Sequence, residues 1–221
     1  MPGRLIAIGD IHGCLAAFKT VLDAVAPGPD DTIVTLGDYV DRGPETCGVL
    51  ETLIALARQT RLVMLLGNHD EMMLKVCGGR QDLFTDWLIY GGHATLASYH
   101  TLLPDGIWPR HLTLLESCGM VFETERHFFV HGNYQADMPL AEQPSAVLLW
   151  DSLKRRQPGP HYSGKTAILG HTSQKNGEVL DLGYLKCIDT CCYGGGWLTA
   201  MDVETGQLWQ AAMDGTRRIR V

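Results

Sequence analysis

Short unbroken apolar runs punctuate this chain, and the stretches that follow the first two keep a helical spacing. The runs are Leu5-Ile6-Ala7-Ile8, Ile33-Val34-Thr35-Leu36, Leu62 to Leu66, Phe128-Phe129-Val130 and Ala167-Ile168-Leu169. Apolar residues without alternation, bounded by turn residues, predict strands buried on both faces of a layered sheet. After the first run, Leu15, Phe18, Val21, Leu22 and Val25 recur every three or four residues until Pro27-Gly28. That period predicts an amphipathic helix with a defined stop. Val49, Leu50, Leu53, Ile54 and Leu56 repeat it after Pro44. Strand and helix in alternation predict an α/β class. The segment from Phe84 to about Leu115 is mixed and predicted largely helical. Trp197 to Val203 and Gln207 to Ala211, separated by Glu204-Thr205-Gly206, predict a hairpin.

Composition narrows the class. Of 221 residues, 45% are hydrophobic and 19% charged, the balance of a globular protein rather than a disordered one. No linker-like stretch or internal repeat divides the chain, so one domain over residues 1–221 is expected. No apolar run approaches the roughly eighteen residues of a membrane span. The first residues lack the pattern of a secretion signal, which makes the cytoplasm the expected compartment. Eighteen basic against 25 acidic residues leave a net charge of −7. Neither nucleic acid nor a membrane surface is therefore an expected partner. The cysteines at 14, 47, 77, 118, 187, 191 and 192 contain no Cys-x-x-Cys pair. They read as inert thiols in a reducing compartment rather than as a disulfide framework or zinc site.

The distinctive feature is how the apolar runs end. They lead into Gly9-Asp10-Ile11-His12-Gly13, Gly37-Asp38-Tyr39-Val40-Asp41-Arg42-Gly43 and Gly67-Asn68-His69-Asp70. The last two lead into His131 and, across Gly170, His171. Oxygen and imidazole donors without thiolate suit Mn²⁺ or iron, and an all-oxygen Mg²⁺ cage less well. The remaining histidines, His93, His100, His111, His127 and His161, read as turn residues or satisfied hydrogen-bonding groups. Gly91-Gly92 and Gly194-Gly195-Gly196 lack the Lys-Ser/Thr of a phosphate loop and read as backbone turns. Trp197 and Trp209 read as sheet packing.

From Gly9 to Thr172 these ordered motifs resemble the metal-dependent phosphoprotein phosphatases of the metallophosphoesterase superfamily, most of all the short bacterial and phage members. The resemblance implies a four-layer α/β sandwich of two mixed β-sheets flanked by helices. It also implies two divalent metal ions, manganese foremost, with iron or zinc as alternatives. By matching position, Asp10 and His12 would hold one metal, Asn68, His131 and His171 the other, and Asp38 would bridge both. His69 would be the general acid, oriented by Asp41, and Arg42 would hold the phosphate. The implied substrate is phosphoserine or phosphothreonine in proteins, with tolerance of phosphotyrosine, or a small phosphoester. One departure is plain: many relatives carry Trp-x-Arg, whereas Trp150-Asp151-Ser152 places serine at the third position. Lys154, Arg155 and Arg156 lie near it, although three adjacent cations read first as a solvated face. Asp70 stands where many relatives have glutamate.

The residue chemistry agrees with those roles. Two metals about 3.5 to 4 Å apart lower the pKa of a shared water and clamp an in-line displacement. A histidine aimed by a carboxylate protonates a leaving alkoxide, and an arginine fork holds phosphate oxygens. Two other functions stay open. A dinucleoside polyphosphate or phosphodiester hydrolase would use the same motifs, and the missing arginine weakens the argument for gripping a monoester. A noncatalytic metal-bound module would need no His69, Asp41 or Arg42.

Overall fold

In the computed structural model, which describes residues 3–218, all five apolar runs form strands. The chain order is β1 (Leu5–Ile8), α1 (Leu15–Val25), β2 (Thr32–Thr35), α2 (Thr46–Leu56), β3 (Arg61–Met64) and α3 (Asn68–Cys77). Three short helices follow, α4 (Phe84–Trp87), α5 (His93–Ser98) and α6 (Pro109–Glu116). Next come β4 (Val121–Glu123), β5 (His127–Val130), α7 (Ser145–Trp150) and β6 (Thr166–Leu169). The chain closes with β7 (Leu180–Asp181), β8 (Leu185–Cys187), β9 (Leu198–Asp202) and β10 (Leu208–Ala211).

These strands make two mixed sheets, ordered β10-β9-β1-β2-β3 and β4-β5-β6-β8-β7. Strands β1, β2 and β3 are parallel, and the predicted hairpin, β9 and β10, adds antiparallel to β1. In the second sheet β5, β6 and β8 are parallel, with β4 and β7 antiparallel at the edges. The pleat sorts side chains by parity. Ile6, Ile8 and Ile33 pack with Phe18 and Val21 of α1 and Leu50 and Leu53 of α2. Ala7 and Val34 face the other way and meet Phe129 and Ile168, closing the space between the sheets. Phe128, Val130 and Leu169 point outward beneath Leu148 of α7. Both sheets are thus covered on both faces, which is why their strands read as unbroken apolar runs.

Register then sets where chemistry can be placed. Ile8 pairs with Thr35 and Thr35 with Met64, so the loops after β1, β2 and β3 leave at one level. Val130 pairs with Leu169, which brings the ends of β5 and β6 level in the second sheet. Strands β4, β7 and β8 were not evident as apolar runs, being two or three residues long.

Helix α1 ends at Ala26 in the left-handed region (φ 45°), its N–H donating to the Leu22 carbonyl at 2.8 Å. Arg4 donates to the carbonyls of Val25 and Ala26 at 3.1 and 3.2 Å and pairs with Asp31 at 2.6 Å. The hydrogen bonds from Arg4 pull the Asp31 carboxyl down to about 2. A side chain in that backbone region is strained by roughly 1 kcal/mol, and glycine is not. Ala26→Gly should therefore stabilise the fold by about 0.5–1 kcal/mol, seen as a rise of roughly 1–4 °C in Tm. An unchanged or lower Tm would show that the strain is absent.

Candidate metal centre

The loops at the strand ends bring the predicted site residues together. Asp10 and His12 follow β1, Asp38, Asp41 and Arg42 follow β2, and Asn68 and His69 open α3. His131 follows β5, and His171 follows β6 across Gly170. Turning these side chains inward strains the backbone. Of the eight described non-glycine residues with left-handed φ, five are His12, Asp38, Asp41, Arg42 and His171, at 44° to 69°. Such conformations cost on the order of 1–3 kcal/mol each and gather at functional sites.

The strain is held by specific bonds. The Asp70 carboxylate accepts the backbone N–H groups of Gly67 and Asp38 on Oδ2, at 2.9 and 2.8 Å. Its Oδ1 accepts those of Tyr39 and Val40, at 3.0 and 3.4 Å. The glutamate-to-aspartate departure thus lands on a residue that ties two ligand loops together rather than on a ligand. Across the sheets, both Asp10 oxygens accept the His171 N–H at 3.1 and 3.0 Å. That approach requires Gly170, because a Cβ there would lie 2.2 Å from Asp10 Oδ1.

Two of the inward imidazoles are fixed by backbone carbonyls. His12 Nδ1 donates to the Val40 carbonyl and His131 Nδ1 to the Leu36 carbonyl, both at 2.8 Å. This outer bond is the usual support of a metal-binding histidine, since it leaves the second nitrogen's lone pair facing the site. His12 Nε2 lies 3.3 Å from Asp38 Oδ2, and His131 Nε2 lies 3.5 Å from Asp38 Oδ1. Asn68 Oδ1 stands 3.0 Å from both His131 Nε2 and His171 Nδ1. Burial pushes the His12 imidazole well below its ordinary range and brings His171 down to about 4. Ring nitrogens, a carboxylate and an amide oxygen thus face one another.

Such a convergence of lone pairs fits divalent cations. Two donor sets satisfy the spacing, His12–Asp38–His69 and Asp38–His131–His171, and they share Asp38. Burial acts to raise the Asp38 carboxyl, but His131, His69, His12 and His171 around it outweigh that and hold it well below the usual range. Burial, with the nearby charges of Asp189 and Asp38, raises the Asp10 carboxyl well above its usual range. Cations between these groups would reverse that pressure.

Within the same cluster lies a buried imidazole–carboxylate pair. His69 Nδ1 and Asp41 Oδ2 are 2.8 Å apart, and both side chains are buried. Asp41 also accepts Trp87 Nε1 at 3.0 and 3.1 Å and Thr95 Oγ1 at 2.8 Å. Burial raises its carboxyl above the ordinary value despite these donors. Arg42 is anchored in three ways. Its N–H donates to the Gly91 carbonyl at 3.2 Å, its Nη1 to His12 Nε2 at 3.0 Å, and its Cζ sits 4.4 Å from the centre of the Tyr193 ring. Gly91 has φ 119°, and a Cβ there would lie 2.8 Å from Arg42 N.

Trp87, Thr95, Asp189 and Tyr193 are the site-lining residues that the sequence reading missed. Asp189 did carry a signal: it follows the apolar Cys187-Ile188 at the end of β8, like the other strand ends but without a glycine. The remaining histidines are not gathered at the centre. His111 sits between Tyr99 and Glu51, and His161 bonds Ser163 and the Met138 carbonyl. Among the described residues, His127 Nδ1 is a buried atom without a hydrogen-bond partner. Trp209 is buried in the first sheet's core, and all seven cysteines are unpaired.

The family model for calcineurin-like phosphoesterases matches residues 3–184. The chain is 40% identical over 78 residues, 35% of its length, to a symmetrical bis(5'-nucleosyl)-tetraphosphatase of Burkholderia pseudomallei. That match spans 27% of the relative's own length. A candidate diadenosine tetraphosphatase of known structure superposes with a TM-score of 0.72 at 24% identity, covering 96% of this chain and 94% of that one. A cold-active protein-tyrosine phosphatase from a Shewanella species gives 0.64 at 18% identity, covering 99% and 80%. At those identities the structural matches speak for the fold. No described helix is long and apolar enough to cross a membrane.

The facing acceptors predict that cation binding stabilises the fold. Mn²⁺ at about a hundred times its Kd should add roughly 2.7 kcal/mol for one ion, a Tm rise of about 5–10 °C. Asp38→Asn should lower bound metal per chain, measured by elemental analysis, more than Asp10→Asn does. No thermal shift with manganese, iron or zinc would refute a metal centre.

Proposed function

Because the chain belongs to the calcineurin-like phosphoesterase family, we propose that it hydrolyses a phosphoanhydride bond inside a dinucleoside polyphosphate of the diadenosine tetraphosphate type. In this reading Asp10 and His12 hold one divalent cation, Asn68, His131 and His171 hold a second, and Asp38 holds both, manganese being the best fit. Two such ions supply Lewis acidity to the phosphoryl oxygens and acidify a water. Arg42, braced by Tyr193 and Gly91, presents its guanidinium to a phosphate oxygen. His69, held by Asp41, delivers a proton to the departing oxygen.

The observation that carries this choice is the one-sided grip. Arg42 meets the cluster, whereas Ser152, standing where many relatives have a second arginine, is 3.3 Å from Thr172 Oγ1 through its hydroxyl. A terminal phosphomonoester presents nearly two negative charges and three free oxygens. An internal phosphate of a polyphosphate presents one charge and two, so fewer cationic contacts hold it. The Burkholderia relative's activity points the same way.

A protein phosphatase is the second reading, and the His69–Asp41 pair favours it. Phosphoserine leaves as a strongly basic alkoxide that needs a proton, whereas a nucleoside diphosphate leaves as a weakly basic anion.

Kinetics with Mn²⁺ should give a kcat/KM for diadenosine tetraphosphate at least about tenfold above that for a phosphoserine peptide, with ADP as the product. Preference for the peptide would overturn the assignment in favour of the second reading. His69→Asn should keep its metals and lose roughly 10²–10⁴ in turnover of the peptide, the usual contribution of a positioned acid. The loss should be smaller for the polyphosphate or for p-nitrophenyl phosphate. Loss of a metal instead would make His69 a ligand alongside His12 and Asp38.

A further inference from the structure

The cleft at the C-terminal end of α7 has a volume of about 660 Å³ and is lined by Trp150, Asp151, Arg155 and Gln135 among others. That size suits a nucleoside. It adjoins the metal centre through the backbone. The carbonyls of Leu148 and Val147 in α7 accept the N–H groups of Gly132 and Asn133, directly after His131.

Trp150 itself is placed in an unusual way. Its Nε1 donates to Glu71 Oε2 at 2.9 Å, and Glu71 in turn pairs with Lys75 at 2.9 Å. The bond fixes the ring two residues beyond His69, yet the side chain stays 42% exposed. An indole with its polar tip satisfied normally buries its faces. The neighbouring cations differ in role. Arg156 is committed to Asp151 at 2.9 Å and to the Tyr134 carbonyl at 3.1 Å. Among the described residues, the Arg155 guanidinium has no ion pair or side-chain hydrogen bond. Asp151 gives its Oδ2 to Arg156 and Asn133, while no described donor takes Oδ1.

We propose that this cleft is a nucleoside subsite: a purine base stacks on the exposed face of Trp150, Arg155 meets the adjoining phosphates, and Asp151 Oδ1 accepts a ribose hydroxyl. The subsite deepens the dinucleoside polyphosphate reading and rests on it for its substrate. An aromatic face offers stacking to any base, and a neighbouring guanidinium adds charge complementarity for the phosphates. The bonds from α7 to the residues directly after His131, and from Trp150 to Glu71, two residues beyond His69, place the subsite next to the centre.

Binding to the metal-loaded protein, by calorimetry, tests the subsite without turnover. Wild type should bind ADP at least about tenfold more tightly than inorganic pyrophosphate, the difference reporting the nucleoside. Trp150→Ala should erase that difference while keeping its metal content and its pyrophosphate affinity. Trp150→Phe, which lacks the N–H to Glu71 but keeps an aromatic face, should restore most of it. Arg155→Gln should weaken ADP severalfold. Equal affinity of wild type for ADP and pyrophosphate, or an undiminished preference in Trp150→Ala, would overturn the subsite. A purely structural Trp150 would instead show loss of metal in both variants. Failure of the activity reading looks different: no cleavage of diadenosine tetraphosphate alongside a base-dependent ADP affinity that Trp150→Ala removes.

Discussion

The centre depends on one buried carboxylate that, in the proposed assignment, touches neither metal nor substrate. Asp70 gathers backbone N–H groups from the end of β3 and from the loop after β2, and so holds Asp38 in its left-handed turn. Asp38 in turn accepts the His69 N–H at 3.0 Å. Of the residues with unfavourable backbone angles here, Asp38 is itself pinned in this way and Asp41 follows directly after pinned Val40. Amide donors aimed at a carboxylate make strong, charge-assisted bonds. Those bonds offset local strain of a few kcal/mol.

Two kinds of chemistry are built on that frame from different materials. The proposed metal donors lie at the ends of strands from both sheets, which are rigid because each strand is buried on both faces. The imidazoles of His12 and His131 are oriented by backbone carbonyls, so their placement follows from the fold itself. The His69–Asp41 pair and Arg42 instead rely on groups from the helical segment after α3. Trp87 and Thr95 hold Asp41, and the Gly91 carbonyl holds Arg42.

That division explains what the sequence disclosed. The strands β1, β2, β3, β5 and β6 were legible because burial on both faces leaves an apolar run, and their ligands because each follows such a run within a few residues. Helix α1 and the hairpin of β9 and β10 were legible for similarly local reasons. Strands β4, β7 and β8 were not, since edge pairing imposes little pattern on two or three residues. Trp87 and Thr95 lie 46 and 54 residues from Asp41, and no local spacing announces such a contact. Tyr193 is harder still, reaching Arg42 from the far end of the chain. Substrate choice was the least legible, because the core motifs are shared between phosphatases and polyphosphate hydrolases, and the serine at 152 tells only what is absent.

The placement of Gly91, closed against Arg42 at φ 119°, has an evolutionary consequence. The helical segment that carries it, from Phe84 to Ser98, contributes none of the proposed metal ligands but touches both Arg42, the proposed phosphate contact, and Asp41, the proposed partner of the acid. Under the proposed assignment, drift within that segment would alter which phosphoester is processed, and how strongly its leaving group is assisted, while the proposed metal site is left intact. Specificity and metal retention are in this sense separately mutable, and descendants of one metal-binding scaffold could diverge in substrate without passing through a form that has lost its ions.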